Sequence, residues 1–234
     1  MVTLQTNNCQ TSLHKAIEQV EESFSVSFDK GDKKEKLLLY FSLLYQWNKS
    51  INLTGIKEPE LLVYKHLGDT LLFDKLISPD VSNLLDIGTG AGIPGLLLKI
   101  LRPNLNVVLA EAIKKKCSFL RYVASLLRLK DIFIDEKRIS PPDPPTTVLQ
   151  RQDHGFDTIT SLAAGSLRWL IDTSLPFLSS GGQIVTLKGP SIKKELHLLR
   201  QMAGSKGVLI KSEELTLPIL EHKRVALIIE KDIP

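Results

Sequence analysis

A chain of 234 residues with 43% hydrophobic and 24% charged side chains has the size and composition of one large α/β domain, or of a domain with a helical extension, and is too short for two full domains. The net charge of +4, from 30 basic and 26 acidic residues, is too small to announce a nucleic-acid partner by itself. Cys9 and Cys117 form no CxxC pair, the first ten residues carry no basic or long apolar run, and the longest apolar stretch, Leu37 to Tyr45, is far below the ~20 residues of a bilayer span. No disulfide scaffold, signal peptide or membrane span is therefore expected, and the expected compartment is the reducing cytoplasm.

Apolar residues Leu13, Ile17, Val20 and Phe24 recur at helical spacing and predict a helix within Cys9 to Phe28. A second helix is expected over Lys33 to Trp47. A third runs from Pro59, suited to a first helical turn, to Leu76, with Pro79 as a stop. The opening residues 1–80 thus read as a helical extension, with residues 81–234 as the main domain.

From Asn83 the pattern changes. Short apolar runs at Leu84–Ile87, Val107–Ala110, Ile132–Ile134, Thr158–Thr160 and Gln183–Leu187 alternate with helix candidates at Pro94–Leu101, Lys114–Leu129, Ser166–Leu178 and Ser191–Met202. Strands alternating with helices imply crossover units and a doubly wound, mainly parallel α/β sheet. Two last runs, Val208–Ile210 and Val225–Ile229, have no long helix between them and fit an antiparallel pair, which makes about seven strands. Pro141-Pro142-Asp143-Pro144-Pro145 reads as a stiff surface loop.

The sharpest signal is Asp86-Ile87-Gly88-Thr89-Gly90-Ala91-Gly92-Ile93-Pro94-Gly95, which closes the first strand and opens a helix. Gly88 and Gly90 fit the first two places of a dinucleotide fingerprint, but Ile93 holds the third, and the Gly-Lys-Ser/Thr of a P-loop is absent. Asp86 can hold a ligand's ammonium or order the loop through water, and it would repel a diphosphate. Glu111 ends the second strand. It can accept both hydroxyls of a ribose, or serve as a first-turn acid for the helix that follows. Asp86, Gly88, Gly90, Gly92 and Glu111 together describe a pocket for S-adenosylmethionine (SAM), with the loop beneath the methionine part.

Trp47-Asn48-Lys49-Ser50-Ile51-Asn52-Leu53-Thr54, then His66-Leu67-Gly68-Asp69-Thr70, the glycine loop, Lys114-Lys115-Lys116 with Phe119-Leu120, and Leu187-Lys188-Gly189 occur in that order. This series resembles the RsmG (GidB) family over nearly the whole chain. The resemblance implies a Rossmann-like class I SAM-dependent methyltransferase acting on N7 of a guanine in small-subunit (16S) ribosomal RNA. It places Gly88 and Ile93 against SAM, and Ile139 and Ser140 beside the adenine. His66 and Asp69 become candidates for shaping the pocket wall, and Lys188 for meeting an RNA phosphate or the guanine O6. These three are the candidate catalytic residues. Two departures stand out: Arg138-Ile139-Ser140 where the family usually has Arg-x-Glu, and Ser161-Leu162-Ala163 where it usually has Ser-Arg-Ala. They leave open a divergent member with another RNA, protein or small-molecule substrate, or a non-catalytic binder of SAM or the ribosome.

The chemistry asks little of the protein. The N7 lone pair carries no proton, so attack on a methyl sulfonium needs positioning rather than a general base. Cys117 reads as a buried helix residue, not a nucleophile, and no cluster has metal-ligand spacing, so no metal is expected. The expected partner is small-subunit rRNA or the assembled small subunit, with no membrane, and the chain is expected to act as a monomer. Residues 81–130 hold 8 basic and 2 acidic side chains. Lys99, Arg102, Lys114, Lys115, Lys116, Arg121 and Arg128 are thereby candidates for an RNA track, though a solvated helix face explains such a run equally.

Overall fold

The computed structural model describes residues 2–139, 155–162, 165–204 and 207–231. Three helices open the chain: α1 (Val2–Phe24), α2 (Lys33–Ile51) and α3 (Pro59–Leu76). Then β1 (Asn83–Ile87), β2 (Asn106–Ala110) and β3 (Ile132–Asp135) alternate with α4 (Gly95–Leu101) and α5 (Lys114–Leu126). The chain continues through β4 (Phe156–Ser161), α6 (Leu167–Ser174), β5 (Leu178–Lys188), α7 (Leu196–Gly204), β6 (Val208–Leu217) and β7 (His222–Lys231).

The seven strands form one sheet in the order β3-β2-β1-β4-β5-β7-β6. The first five are parallel, with Leu85 paired to Val108 on one side and to Ile159 on the other. β7 runs antiparallel to both neighbours. β1 and β2 are buried along nearly their whole length and mostly apolar, as strands covered on both faces require, with Asp86 as the one buried charge among them. The chain steps outward from β1 to β3 and then returns to β4, so the direction of winding reverses between β1 and β4. Ligands of open α/β sheets bind outside the carboxyl ends of the strands at such a reversal.

Two buried clusters lie on the two faces. One joins Leu13, Ile17 and Val20 of α1, Leu37, Phe41 and Leu44 of α2, and Leu62 and Leu67 of α3 to Leu84, Val107, Val185 and Leu187 of the sheet, with Leu96 of α4 and Phe119 of α5. The opening helices therefore share one continuous apolar cluster with the sheet. The other gathers Leu85, Ile87, Val108 and Ile159 under Leu170 and Ile171 of α6 and Leu199 of α7.

Several boundaries differ from the sequence reading. α1 begins at Val2 and stops at Phe24, and Ser25 has a positive φ that ends it. α6 ends at Ser174 because Pro176 cannot continue a helix; a 3-10 turn, Leu175–Phe177, leads into a β5 that starts at Leu178. The helix expected over Ser191–Met202 divides into a 3-10 turn at Pro190–Lys194 and α7. The proline loop at residues 141–145 lies outside the described residues.

Candidate functional site

The glycine loop is built around Asp86. Its carboxylate is fully enclosed, with Oδ2 accepting from Thr89 Oγ1 (2.5 Å) and Gly95 N (2.9 Å) and Oδ1 from Thr160 Oγ1 (2.9 Å). Burial pushes its pKa up to about 6, against the pull of these three donors. The reading of Asp86 as an ammonium ligand is corrected here: its oxygens point into the protein, and it orders the loop directly rather than through water. Gly95 is required for that contact, since a Cβ there would stand 2.7 Å from the Asp86 Cβ.

The other glycines differ in purpose. Gly88 (φ +69) donates to Ala110 O at 2.9 Å and lines a cleft of about 480 Å³. Gly90 (φ +61) has only Gly88 O, at 4.0 Å, near the place of a Cβ, so the space before it is open. Gly92 (φ +93) faces the protein instead: a Cβ would stand 2.7 Å from Leu96 Cβ and 3.1 Å from Leu120 Cδ2. Ile93 is likewise buried in the cluster with the opening helices and does not line the cleft. Tyr40 of α2 donates its hydroxyl to Ala91 O at 2.9 Å, tying α2 to the loop.

Glu111 stands at the carboxyl end of β2. Its Oε2 accepts from Gly90 N (3.0 Å) and its Oε1 from Ile113 N (2.8 Å), so it braces the loop and the start of α5 at once. Each oxygen keeps a second lone pair, and the residue lines the cleft. The cleft also takes in Ile87, Ala110, Ala112, Ile113, Lys137, Arg138, Ile139, Gly165 and Trp169. Gly88, Glu111 and Ile139 are thus brought together as expected. Ser140 lies outside the described residues.

The three candidate catalytic residues are not gathered in that cleft. Lys188 comes nearest: its Nζ donates to the carbonyl of the cleft residue Gly165 at 3.4 Å, and burial lowers its pKa. His66 and Asp69 sit on α3, on the other face of the sheet. His66 Nε2 is 3.2 Å from Thr54 Oγ1, its Nδ1 has no hydrogen-bond partner among the described residues, and burial, aided by Lys65, lowers its pKa to about 3. Asp69 is held by Arg224 of β7 through both carboxylate oxygens, at 2.8 and 3.2 Å. Burial raises its pKa against that pull. The Asn-Leu-Thr turn is fixed by Asn48, which accepts from Thr54 N and donates to Ile56 O, both at 2.8 Å.

The basic cluster divides. Lys99 is buried and donates to the carbonyls of Pro103 (2.7 Å) and Leu105 (2.5 Å). Arg102 binds the Asp74 carboxylate and the carbonyls of Asp74, Ile77 and Ser78 around the C-terminal end of α3. These two are corrected to internal fasteners. Arg121 pairs with Glu136, while Lys114, Lys115 and Arg128 are exposed. Cys117 is buried, with its thiol donating to Glu111 O at 3.1 Å. Leu162 packs partly buried against the cluster of the opening helices.

Sequence reasoning missed Gly165, Trp169 and Arg138 as cleft residues and Arg224 as the partner of Asp69. Among the described residues no group of three or more His, Cys, Asp or Glu could hold a metal ion, and no helix is long and apolar enough to cross a membrane.

Residues 33–222 match the GidB family, described as rRNA small subunit methyltransferase G. The chain is 32% identical over 233 residues to the ribosomal RNA small subunit methyltransferase G of Desulforamulus reducens, covering 96% of this chain and 91% of that protein. A Clostridium botulinum protein of the same name is 37% identical over 174 residues, covering 73% and 71% of the two chains. Among solved structures, a methyltransferase from Pyrococcus furiosus superposes with a TM-score of 0.58 at 17% identity, covering 87% of this chain and all of that one. P. horikoshii TYW2 in complex with MeSAdo gives 0.52 at 15% identity, covering 70% and 62%. The structural likenesses speak for the fold, a class I methyltransferase sheet. The sequence match, over most of its length, makes this chain a member of the small-subunit rRNA methyltransferase G family.

Proposed function

We propose that this protein transfers a methyl group from SAM to N7 of a guanine in small-subunit rRNA, in the cytoplasm. The observation that carries the reading is the cleft at the winding reversal, where Glu111 holds the Gly90 and Ile113 amides and still has lone pairs for two ribose hydroxyls. Gly88 would let the backbone approach the ligand, the open space before Gly90 would take the methionine part, and Ile139 would cover the adenine. When bound, SAM supplies an electrophilic methyl on a sulfonium.

The chain's own residues then bind and orient. The target nitrogen has no proton to remove, so nothing in the cleft needs to act as a base. His66, neutral and enclosed, and the Asp69–Arg224 pair serve as positioning residues that lock α3 to the Asn-Leu-Thr turn and to β7. Lys188, with Lys137 and Arg138 on the cleft wall, would supply positive charge toward RNA phosphate or the guanine O6. A different target base is the second reading, favoured by the apolar Leu162 where the family usually places an arginine.

Mass mapping of small-subunit rRNA from a strain lacking this chain tests the proposal. Loss of one 7-methylguanosine supports it. An unchanged content of that nucleoside, with loss of another methylated residue, favours the second reading.

A further inference from the structure

Glu111 and the glycine loop account for one end of the cleft but not for its aromatic wall. Trp169, near the start of α6, lines the same cleft as Ile139 and Glu111. Its backbone is capped and its ring is seated on a glycine. Ser166 caps α6 by accepting from the Trp169 N–H at 3.2 Å. The indole lies across Gly165 (φ +60), where a Cβ would stand 2.8 Å from Cδ2 of the ring, so no larger residue fits beneath it. Lys188 Nζ in turn holds the Gly165 carbonyl.

The sheet order β3-β2-β1-β4 sets Ile139 and Trp169 on the two flanks of the cleft, after β3 and β4. Between them Ile113, half exposed beside Glu111, leaves apolar surface uncovered. An apolar slot with an aromatic wall, next to a carboxylate placed for hydroxyls, suits a flat heteroaromatic ring carrying a sugar. We propose that the Trp169 indole stacks on the adenine ring of the methyl donor and positions it. The proposal rests on the SAM reading above and adds a contact that neither the loop nor the acid supplies.

The chain has two tryptophans, and Trp47 is not among the residues lining the cleft but packs at a tilt against Phe119 and Tyr122. A Trp47→Phe variant therefore isolates the Trp169 emission. Titration with S-adenosylhomocysteine, followed in parallel by calorimetry, is expected to quench that emission with the calorimetric Kd. Adenosine alone should quench and methionine alone should not. Trp169→Leu is expected to bind S-adenosylhomocysteine about tenfold more weakly, and Trp169→Phe to recover most of the loss. Calorimetric binding without quenching, or an unchanged Kd in Trp169→Leu, overturns the proposal. Quenching by guanosine monophosphate in place of S-adenosylhomocysteine also overturns it and gives the wall to the target base. If the unaltered protein fails to bind S-adenosylhomocysteine in the calorimeter, the cofactor reading itself falls, and the stacking with it.

Discussion

Asp86 offers the sharpest test of how the loop works, because its two substitutions separate shape from charge. In Asp86→Ala the Gly95 N–H and the Thr89 and Thr160 hydroxyls lose a buried acceptor. At about 1–3 kcal/mol per orphaned group, with the hydroxyls free to turn elsewhere, the loss of stability is about 3–5 kcal/mol. Asp86→Asn keeps an oxygen for Thr89 and Gly95 and offers its amide to Thr160, whose hydroxyl can accept, so it costs about 1 kcal/mol at pH 5. The pH dependence has a definite sign. A carboxyl raised by burial from 3.8 to about 6 stabilises the fold below about pH 4, and that contribution fades as pH rises through about 6. The difference between the two values is worth about 3 kcal/mol, so Asp86→Asn gains on the unaltered protein by up to that amount between pH 4 and 7. Urea unfolding at pH 5 and pH 8, with calorimetry of S-adenosylhomocysteine, measures both effects. The reasoning is refuted if Asn abolishes binding as fully as Ala while leaving stability unchanged at both pH values, for then the ligand would feel the charge itself.

Gly92→Ala meets Leu96 and adopts a positive φ, and is expected to destabilise by about 2–4 kcal/mol in urea titration, whereas Gly90→Ala, with open space before it, costs about 1–2. Gly90→Val adds more backbone strain than Ala at this positive φ and also fills the space before the loop, so calorimetry with S-adenosylhomocysteine should register lost binding where Gly90→Ala still binds. Arg224→Met strands Asp69 as a buried charge and should cost about 3–5 kcal/mol, of which the double variant with Asp69→Asn recovers at least half in the same denaturation assay. Removing residues 2–76 uncovers Leu84, Val107, Val185 and Leu187, so the remainder is expected to show no cooperative thermal transition.

The parallel part of the fold was legible because its signals are local. β1 is a short, buried, mostly apolar run that leads directly into spaced glycines, and α3 is bracketed by Pro59 and Pro79, which placed both of its ends. Local signals also stood unread: Pro176 already forbids a helix reaching Leu178. What stayed hidden depends on contacts between distant residues. Asp69 and Arg224 lie 155 positions apart, and only the register of β7 brings them together. Lys99 and Arg102 looked like surface charge because a charge run says nothing of carbonyls waiting at the end of another element. Trp169 falls on a helix whose periodicity fits core packing, and the cleft it lines exists only once β3 and β4 flank β2 and β1. Gly88 and Glu111 could be placed at the cleft because strand ends at a winding reversal are readable from sequence, whereas Ile139 was placed there by the family resemblance alone.

The central claim is that the cleft serves methyl transfer to guanine N7 in small-subunit rRNA. Incubating the purified protein and methyl-labelled SAM with small subunits from a strain lacking this chain, then digesting the RNA to nucleosides, tests it most directly. The account predicts label in 7-methylguanosine, and its loss with Gly90→Val. Label in a different nucleoside, or none in RNA while S-adenosylhomocysteine still binds, would contradict it.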